Sequence, residues 1–183
     1  MGDALRANLN NHHLTFPEID DPEYVFDIYR PVPHWVENSE FRAPEDFDLW
    51  VINWRTPYFS NDVSNVSGNP WLAELSGQDS LHYGIYMNSA TAQKKGLQPG
   101  EVVVVESRYG KTEGRLHVSE LFHPDVVGIP GCYGLDSAQS NPLGKKGPNW
   151  NSLLPIDDKC LDPISAGLES APRVKVYKKG ERR

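Results

Sequence analysis

Residues 88–105 read NSATAQKKGLQPGEVVVV, and this stretch decides the fold. Asn88 is followed by residues without proline or glycine, and Asn is a favoured N-cap, so a short helix is predicted over residues 90–95. Gly96 ends that helix directly after two lysines, which suit its last turn. A Pro-Gly turn then leads into four consecutive valines, a composition typical of a buried strand. The stretch therefore predicts a helix, a turn and a strand in quick succession.

Short strands continue on both sides of this stretch. Asn69, Pro70 and Gly77 predict a helix over residues 70–77, with Asn69 as its N-cap, Pro70 in the first position and Gly77 as its end. The predicted strands cover residues 47–52, 83–87, 101–107, 114–119, 126–130 and 173–177. Polar loops over residues 55–67 and 131–155 lie between them. A long loop without periodicity, such as residues 131–155, is usually functional. The order predicts a mainly β protein, a small barrel decorated with short helices.

Composition narrows the possible functions. The chain has 183 residues and a net charge of −7, which disfavours nucleic acid as a partner. No apolar run approaches the ~18–20 residues needed to cross a bilayer, and the N-terminus lacks the apolar stretch of a signal peptide, so the compartment stays open. Two cysteines, Cys132 and Cys160, are too few for a disulfide framework or a four-Cys metal site.

The first part of the chain differs from the rest. Five prolines, at positions 17, 22, 31, 33 and 44, interrupt a mixture of acidic and aromatic residues. This pattern predicts no helix of two turns. We therefore expect residues 1–46 to form an extended leader that packs on the barrel or on a domain outside this chain. Residues 47–183 are expected to form the barrel domain.

The motif at residues 88–105 also carries a resemblance. Its Asn, paired alanines, glycine, Pro-Gly-Glu turn and valine strand resemble one domain of the dimethyl sulfoxide reductase family of molybdenum and tungsten oxidoreductases. That domain is C-terminal and binds a molybdopterin guanine dinucleotide. Three further segments fall in the family's order: residues 51–55 with 69–75, residues 149–154, and residues 162–165 with 172–176. Together they extend the resemblance over roughly residues 47–178.

The resemblance implies a six-stranded double-psi β-barrel that covers the dinucleotide ends of two pterin cofactors. It implies that the chain is a cofactor-binding domain or fragment of a molybdopterin oxidoreductase and is not catalytic by itself. Molybdenum or tungsten would be carried by other domains. The implied partners are the remaining domains or catalytic subunit of the same oxidoreductase, together with iron–sulfur subunits.

The chemistry of a guanine dinucleotide selects the candidate residues. A diphosphate needs backbone N–H groups, hydroxyls and an arginine, whereas guanine needs an acceptor for its N1–H and N2–H edge and a donor for O6. Under the resemblance, the candidate cofactor-binding residues are Arg55, Ser60, Asn61, Ser64, Asn88, Asn149 and Asn151. Each has a structural alternative: the first loop is a solvated loop, Asn88 is a helix cap, and Asn151 serves a turn.

Other reactive residue types do not suggest a self-contained active site. The six histidines show no paired ligand spacing, and His117 alternates with apolar residues on a strand, as a surface or interface residue does. Cys132 is expected to be a small buried apolar residue rather than a reactive thiol. Lys145 and Lys146 are expected to be solvated. No catalytic residue and no metal ligand is therefore predicted in this chain.

Two alternatives to cofactor binding stay open at this point. A stand-alone double-psi barrel could act as a protein-interaction or recognition module, with the aromatic leader as the partner-binding strap. A hydrolase would need a nucleophile beside a base, and sequence order gives no support to Ser60 or Ser64 with His82 or His117. Cofactor binding requires loops 55–67 and 131–152 to converge on one polar cleft, whereas an interaction module requires a contiguous exposed aromatic patch.

Overall fold

We describe the protein from a computed structural model. The described residues are 2–15, 39–57, 69–135, 144–156, 160–162 and 167–180, together with single residues at 23, 26, 29, 32, 35, 37, 142 and 165. Three of the candidate residues, Ser60, Asn61 and Ser64, lie outside the described residues.

Six strands and three short α-helices account for the regular structure of the described residues. The strands are β1 (Leu49–Trp54), β2 (Ile85–Met87), β3 (Val102–Ser107), β4 (Lys111–Val118), β5 (Val126–Pro130) and β6 (Arg173–Lys178). The α-helices are α1 (Gly2–Asn11), α2 (Pro70–Gly77) and α3 (Ser89–Lys94), and 3-10 turns cover Ser39–Arg42, Ser80–Tyr83 and Trp150–Leu153. Every strand predicted from the sequence is present, with ends shifted by three residues or fewer.

The six strands close into a barrel in the order β1-β5-β2-β4-β3-β6. β1 runs parallel to β5, and β2 runs parallel to β4, while the other four pairs are antiparallel. The pairing pattern stays the same when β1 is exchanged with β4, β2 with β5 and β3 with β6. The halves β1–β3 and β4–β6 are therefore related by a pseudo-two-fold axis and interlock. This topology confirms the predicted double-psi β-barrel. Closure also leaves no strand edge unpaired.

The core follows from strand alternation. Val103 and Val105 are fully buried inside the barrel, whereas Val102 is partly exposed. Trp150 and Leu153, from the 3-10 turn, join the same core. The core cluster comprises Leu49, Val51, Ile85, Met87, Ala92, Leu97, Val103, Val105, Leu116, Val127, Ile129, Trp150, Leu153, Val174 and Val176. β-Branched residues dominate it, as the sequence predicts.

The predicted N-caps of both helices are confirmed. The Asn69 carboxamide oxygen accepts hydrogen bonds from Trp71 N at 3.0 Å and Leu72 N at 3.3 Å, and Pro70 occupies the first position of α2. The Asn88 carboxamide oxygen likewise caps α3 by accepting from Ala90 N at 2.9 Å. No helix among the described residues is both long enough and apolar enough to span a membrane.

The expectation of no helix in the leader is wrong. α1 covers Gly2–Asn11, close to three turns. The prolines could not prevent it, because the first of them is Pro17, and the segment is built partly from Ala, Leu and Arg, which are good helix formers. Further along the leader, the Phe41 ring packs edge-on against Trp50 of β1, with ring centroids 5.4 Å apart.

Candidate functional site

The candidate site lies where two parallel strands end side by side. β1 and β5 are in register, with Trp54 opposite Pro130, so the chain leaves both strands at the same end of the barrel. Gly131 N donates to Trp54 O at 2.9 Å and extends this pairing by one step. Arg55 and the Gly131–Gly134 backbone therefore emerge next to each other. Ligands often bind beyond the carboxyl ends of parallel strands.

The barrel is open at this end. Alternation along β1 points Leu49, Val51 and Asn53 inward, and the first two are buried, but Asn53 is exposed. Asn53 therefore places an amide at the floor of the opening. Asn53 was not predicted as a site residue. The signal that could have identified it is its position two residues after Val51 and four after Leu49, which puts its amide on the same face of β1 as these core residues.

Two walls of the site are formed by the chain as it leaves β1 and as it leaves β5. The third wall is the 3-10 turn Trp150–Leu153, whose N-cap is Asn149. Asn149 N donates to the Thr112 hydroxyl at 2.7 Å, and this bond fastens the turn to β4. The Asn149 carboxamide oxygen accepts from Asn151 N at 2.9 Å. This cap fixes the position from which the Asn151 side chain leaves the turn.

The three walls enclose a cavity of about 470 Å³. This is a typical volume for a small-molecule or cofactor site. The lining residues are Asn53, Trp54, Arg55, Gly131, Cys132, Tyr133, Leu135, Asn149, Trp150 and Asn151. Three predicted site residues, Arg55, Asn149 and Asn151, thus meet in one cavity. Of the first loop the structure describes residues 55–57, and among these Arg55 lines the cavity together with residues of the second loop.

Two polar side chains are available for a ligand. Arg55 is exposed, and its guanidinium pairs with no carboxylate among the residues that the structure describes. Asn151 is also exposed, and within the same described ranges its side-chain amide makes no hydrogen bond. Asn149, by contrast, uses its carboxamide oxygen for the cap. Arg55 and Asn151 can therefore meet an anion and a base edge without first breaking a protein contact.

Asn88 is not part of this cavity. β2 runs antiparallel to β5, so Asn88, which follows β2, lies at the opposite end of the barrel. Its side chain is buried, caps α3 and donates to Phe122 O at 2.9 Å. The capping role of Asn88 is therefore observed. A contact between Asn88 and a guanine base stays a prediction.

A buried hydroxyl pair holds the cavity loop to α2. Tyr133 is almost completely buried, and its phenol oxygen lies 2.9 Å from the Ser76 hydroxyl at the end of α2. Burial raises the pKa of the Tyr133 phenol above its ordinary value, so the group stays protonated at neutral pH. The loop is thus anchored to a helix 57 residues away in sequence. Nothing in the sequence pattern indicated this pair.

Cys132 has a strained backbone. Its φ is 78°, a region that residues other than Gly rarely occupy, and its side chain is partly buried against the group that includes Tyr133. The thiol therefore packs as a partly apolar group at the cavity wall rather than inside the core.

Substituting Cys132 tests this strain. Cys132→Gly should be more stable than Cys132→Ala by about 1 kcal/mol, because both remove the thiol but only glycine relieves the positive φ. Urea unfolding of the two variants measures the difference. Equal stabilities, or a more stable alanine variant, would show that the backbone at this position is not strained.

Comparisons with known proteins identify the family of this chain. Residues 49–170 match the family described as "Molydopterin dinucleotide binding domain". A curated relative, the thiosulfate reductase molybdopterin-containing subunit PhsA of Salmonella typhimurium (strain LT2), is 22% identical over 116 residues. That match covers 63% of this chain and 14% of PhsA.

A solved structure shares the fold. Acetylene hydratase from Pelobacter acetylenicus aligns with 82% of this chain and 22% of its own, at 21% identity and a TM-score of 0.62. The chain therefore spans about a seventh of the curated relative and about a fifth of the acetylene hydratase chain. Because the family match covers more than half of the sequence, including β1 and both cavity loops, the chain belongs to the molydopterin dinucleotide binding domain family.

Proposed function

We propose that the cavity at the open end of the barrel holds the guanine dinucleotide of a molybdenum or tungsten pterin cofactor. The observation that carries this proposal is the convergence of Arg55, the segment Gly131–Tyr133 and Asn151 on one cavity of about 470 Å³. A diphosphate and a purine base are the chemistry that such a donor set accommodates. Family membership supplies the coarser statement, that the cofactor is of the molybdopterin dinucleotide type.

We assign the phosphate end to Arg55 and the glycine-bounded loop. A guanidinium forms two parallel hydrogen bonds with a phosphate, and Gly131, which lines the cavity, has no side chain to keep a ligand away from the backbone of the loop. We assign the base to Asn151 and Asn53, since an amide offers both the acceptor and the donor that guanine requires. Asn149 acts indirectly by fixing the turn that carries Asn151.

The residues that line the cavity suit a binding role. When bound, the cofactor would supply metal-centred redox or oxygen-transfer chemistry at its other end. This chain would bind and orient the nucleotide end, so that the metal is held in a fixed position for residues of other domains. We therefore propose that the chain works as part of a larger oxidoreductase, with the remaining domains and iron–sulfur subunits as partners. The physiological substrate belongs to those domains.

The interaction-module alternative is less well supported. In the leader, exposed Trp35 packs against exposed Phe41, with ring centroids 6.2 Å apart, and this pair is the observation that favours such a module. The convergence of the two loops is the arrangement that distinguishes cofactor binding from such a module.

Two substitutions test the assignment. Asn151→Ala and Arg55→Ala should each weaken binding of guanosine 5′-diphosphate (GDP) by roughly 10- to 100-fold, the effect of losing a hydrogen bond to a charged or well-oriented group. Binding is measured by calorimetric titration of the 183-residue chain. Neither side chain makes a hydrogen bond with another described residue, so unfolding midpoints should stay at the wild-type value.

Arg115→Ala is the matched control for Arg55→Ala. Arg115 also carries a guanidinium, but it binds Gly100 O at 2.8 Å and does not line the cavity. Unchanged GDP affinity in both test variants would refute the site assignment. In the assembled oxidoreductase, the same two variants should lower molybdenum or tungsten content, and anaerobic extraction should release guanine nucleotide.

A further inference from the structure

We propose that Glu40, in the segment before the barrel, is a positioning residue for the nucleotide cavity and acts through the hairpin between β3 and β4. This proposal rests on the proposed function of the cavity, which lies on the far side of that hairpin. Glu40 itself does not line the cavity.

Glu40 is a buried charge with a complete set of partners. Only 1% of its surface is exposed. One carboxylate oxygen accepts from the Arg108 guanidinium and from the Tyr109 hydroxyl at 2.8 Å, and the other accepts from Arg173 N at 2.7 Å. A carboxylate removed from water needs such partners, because an uncompensated buried charge is strongly destabilising. Glu40 therefore fixes Arg108 and Tyr109, two of the three residues at the tip of the hairpin.

The protonation states keep this network intact at neutral pH. The hydrogen bond to Glu40 raises the pKa of the Arg108 guanidinium further above its ordinary value. Burial, and then the Glu40 carboxylate, raise the pKa of the Tyr109 phenol. Both groups therefore hold the protons that they donate.

The other side of the hairpin supports the cavity wall. The Ser107 hydroxyl donates to Leu153 O at 2.8 Å, and Gly110 lies so close to Ser152 O that an added Cβ would be 2.3 Å from it. Next along the hairpin, the Thr112 hydroxyl accepts from Asn149 N at 2.7 Å. These contacts seat the whole 3-10 turn on the hairpin.

The two sets of contacts form one continuous path. Glu40 fixes the tip of the hairpin, the hairpin seats the turn, and the turn presents Asn151 to the cavity. Below the tip, the pairing of β3 with β4 is independent of Glu40. Loss of the carboxylate should therefore loosen the turn by more than it loosens the strands of the barrel.

Amide hydrogen exchange of the 183-residue chain tests this path. In Glu40→Gln, the Asn151 and Leu154 amides, which bond within the turn, should exchange at least tenfold faster relative to the Val127 core amide. Tyr109→Phe removes one of the donors to Glu40 and should give a smaller increase, about threefold. If Glu40→Gln does not fold, Tyr109→Phe provides the test in its place. Glu113→Gln, which removes an exposed carboxylate paired with Lys179, is the matched control and should leave both amides unchanged.

GDP affinity separates this proposal from the proposed function. Where wild type binds GDP, Tyr109→Phe should bind it about threefold more weakly. Turn amides that exchange no faster relative to the core, or a loosened turn with unchanged GDP affinity, would overturn the positioning role. If the wild-type chain binds no GDP, the proposed ligand is refuted. If the turn still loosens in the variants in that case, the coupling of Glu40 to the turn remains supported.

Discussion

Replacing Gly134 by alanine should destabilise the protein by about 2–4 kcal/mol and abolish nucleotide binding. Gly134 has a φ of 69°, which costs any other residue roughly 1 kcal/mol or more. An added Cβ would also lie 2.6 Å from Asn149 N and 2.8 Å from the Pro148 carbonyl carbon. Both are backbone atoms, so the clash can be relieved only by moving the segment that leads into Asn151, which adds about 1–3 kcal/mol.

Gly96→Ala is a closely matched control. Gly96 has the same φ of 69°, but an added Cβ would meet no atom within 4 Å. This variant therefore carries the backbone strain without the clash and should lose only about 1 kcal/mol. Chemical denaturation measures both losses. If the two variants are equally destabilised, or if Gly134→Ala binds GDP like wild type, then Gly134 does not pack closely against Pro148 and Asn149 as described.

The second large effect is expected at Glu40. Glu40→Gln should lower the free energy of unfolding by about 3–5 kcal/mol, the cost of breaking a buried ion pair by neutralising one partner. The amide keeps the size of the side chain but presents an NH₂ group to a site where Arg108, Tyr109 and Arg173 N are all donors. An Arg108 guanidinium that is only one-third exposed then loses its counter-charge.

Glu113→Gln should stay close to wild type in the same denaturation experiment. Its ion pair with Lys179 is about half exposed on both sides, and such pairs contribute little. A Glu40→Gln variant as stable as Glu113→Gln would mean that the segment around Glu40 does not support the barrel.

Much of the fold is predictable because local signals and the global fold agree. Asn69 and Asn88 begin helices, Gly96 ends one, and the run of valines after Gly100 forms β3, as the local sequence predicts. Each of these signals acts within a few residues. α1 was missed because the prolines beyond residue 16 were taken to describe the whole leader, although proline acts only locally.

The site is only partly predictable, because it is assembled from distant segments. Arg55 and Asn151 were identified through the family resemblance, and the cavity brings them together. Asn53 was missed because only closure of the barrel shows that its inward position opens to solvent. The Tyr133–Ser76 pair and the partners of Glu40 join residues 57 to 133 positions apart, and no periodicity in the sequence reports such contacts.

The most direct test of nucleotide binding is to map GDP onto the wild-type chain by amide chemical shifts. We predict saturable changes in residues 53–55, 131–135 and 149–151, with no change around Gly96 and Gly100. ADP should produce smaller changes, because adenine lacks the adjacent N1–H and N2–H donors with which guanine binds an amide oxygen. Shifts that never saturate, or that cluster away from the open end of the barrel, would contradict the account.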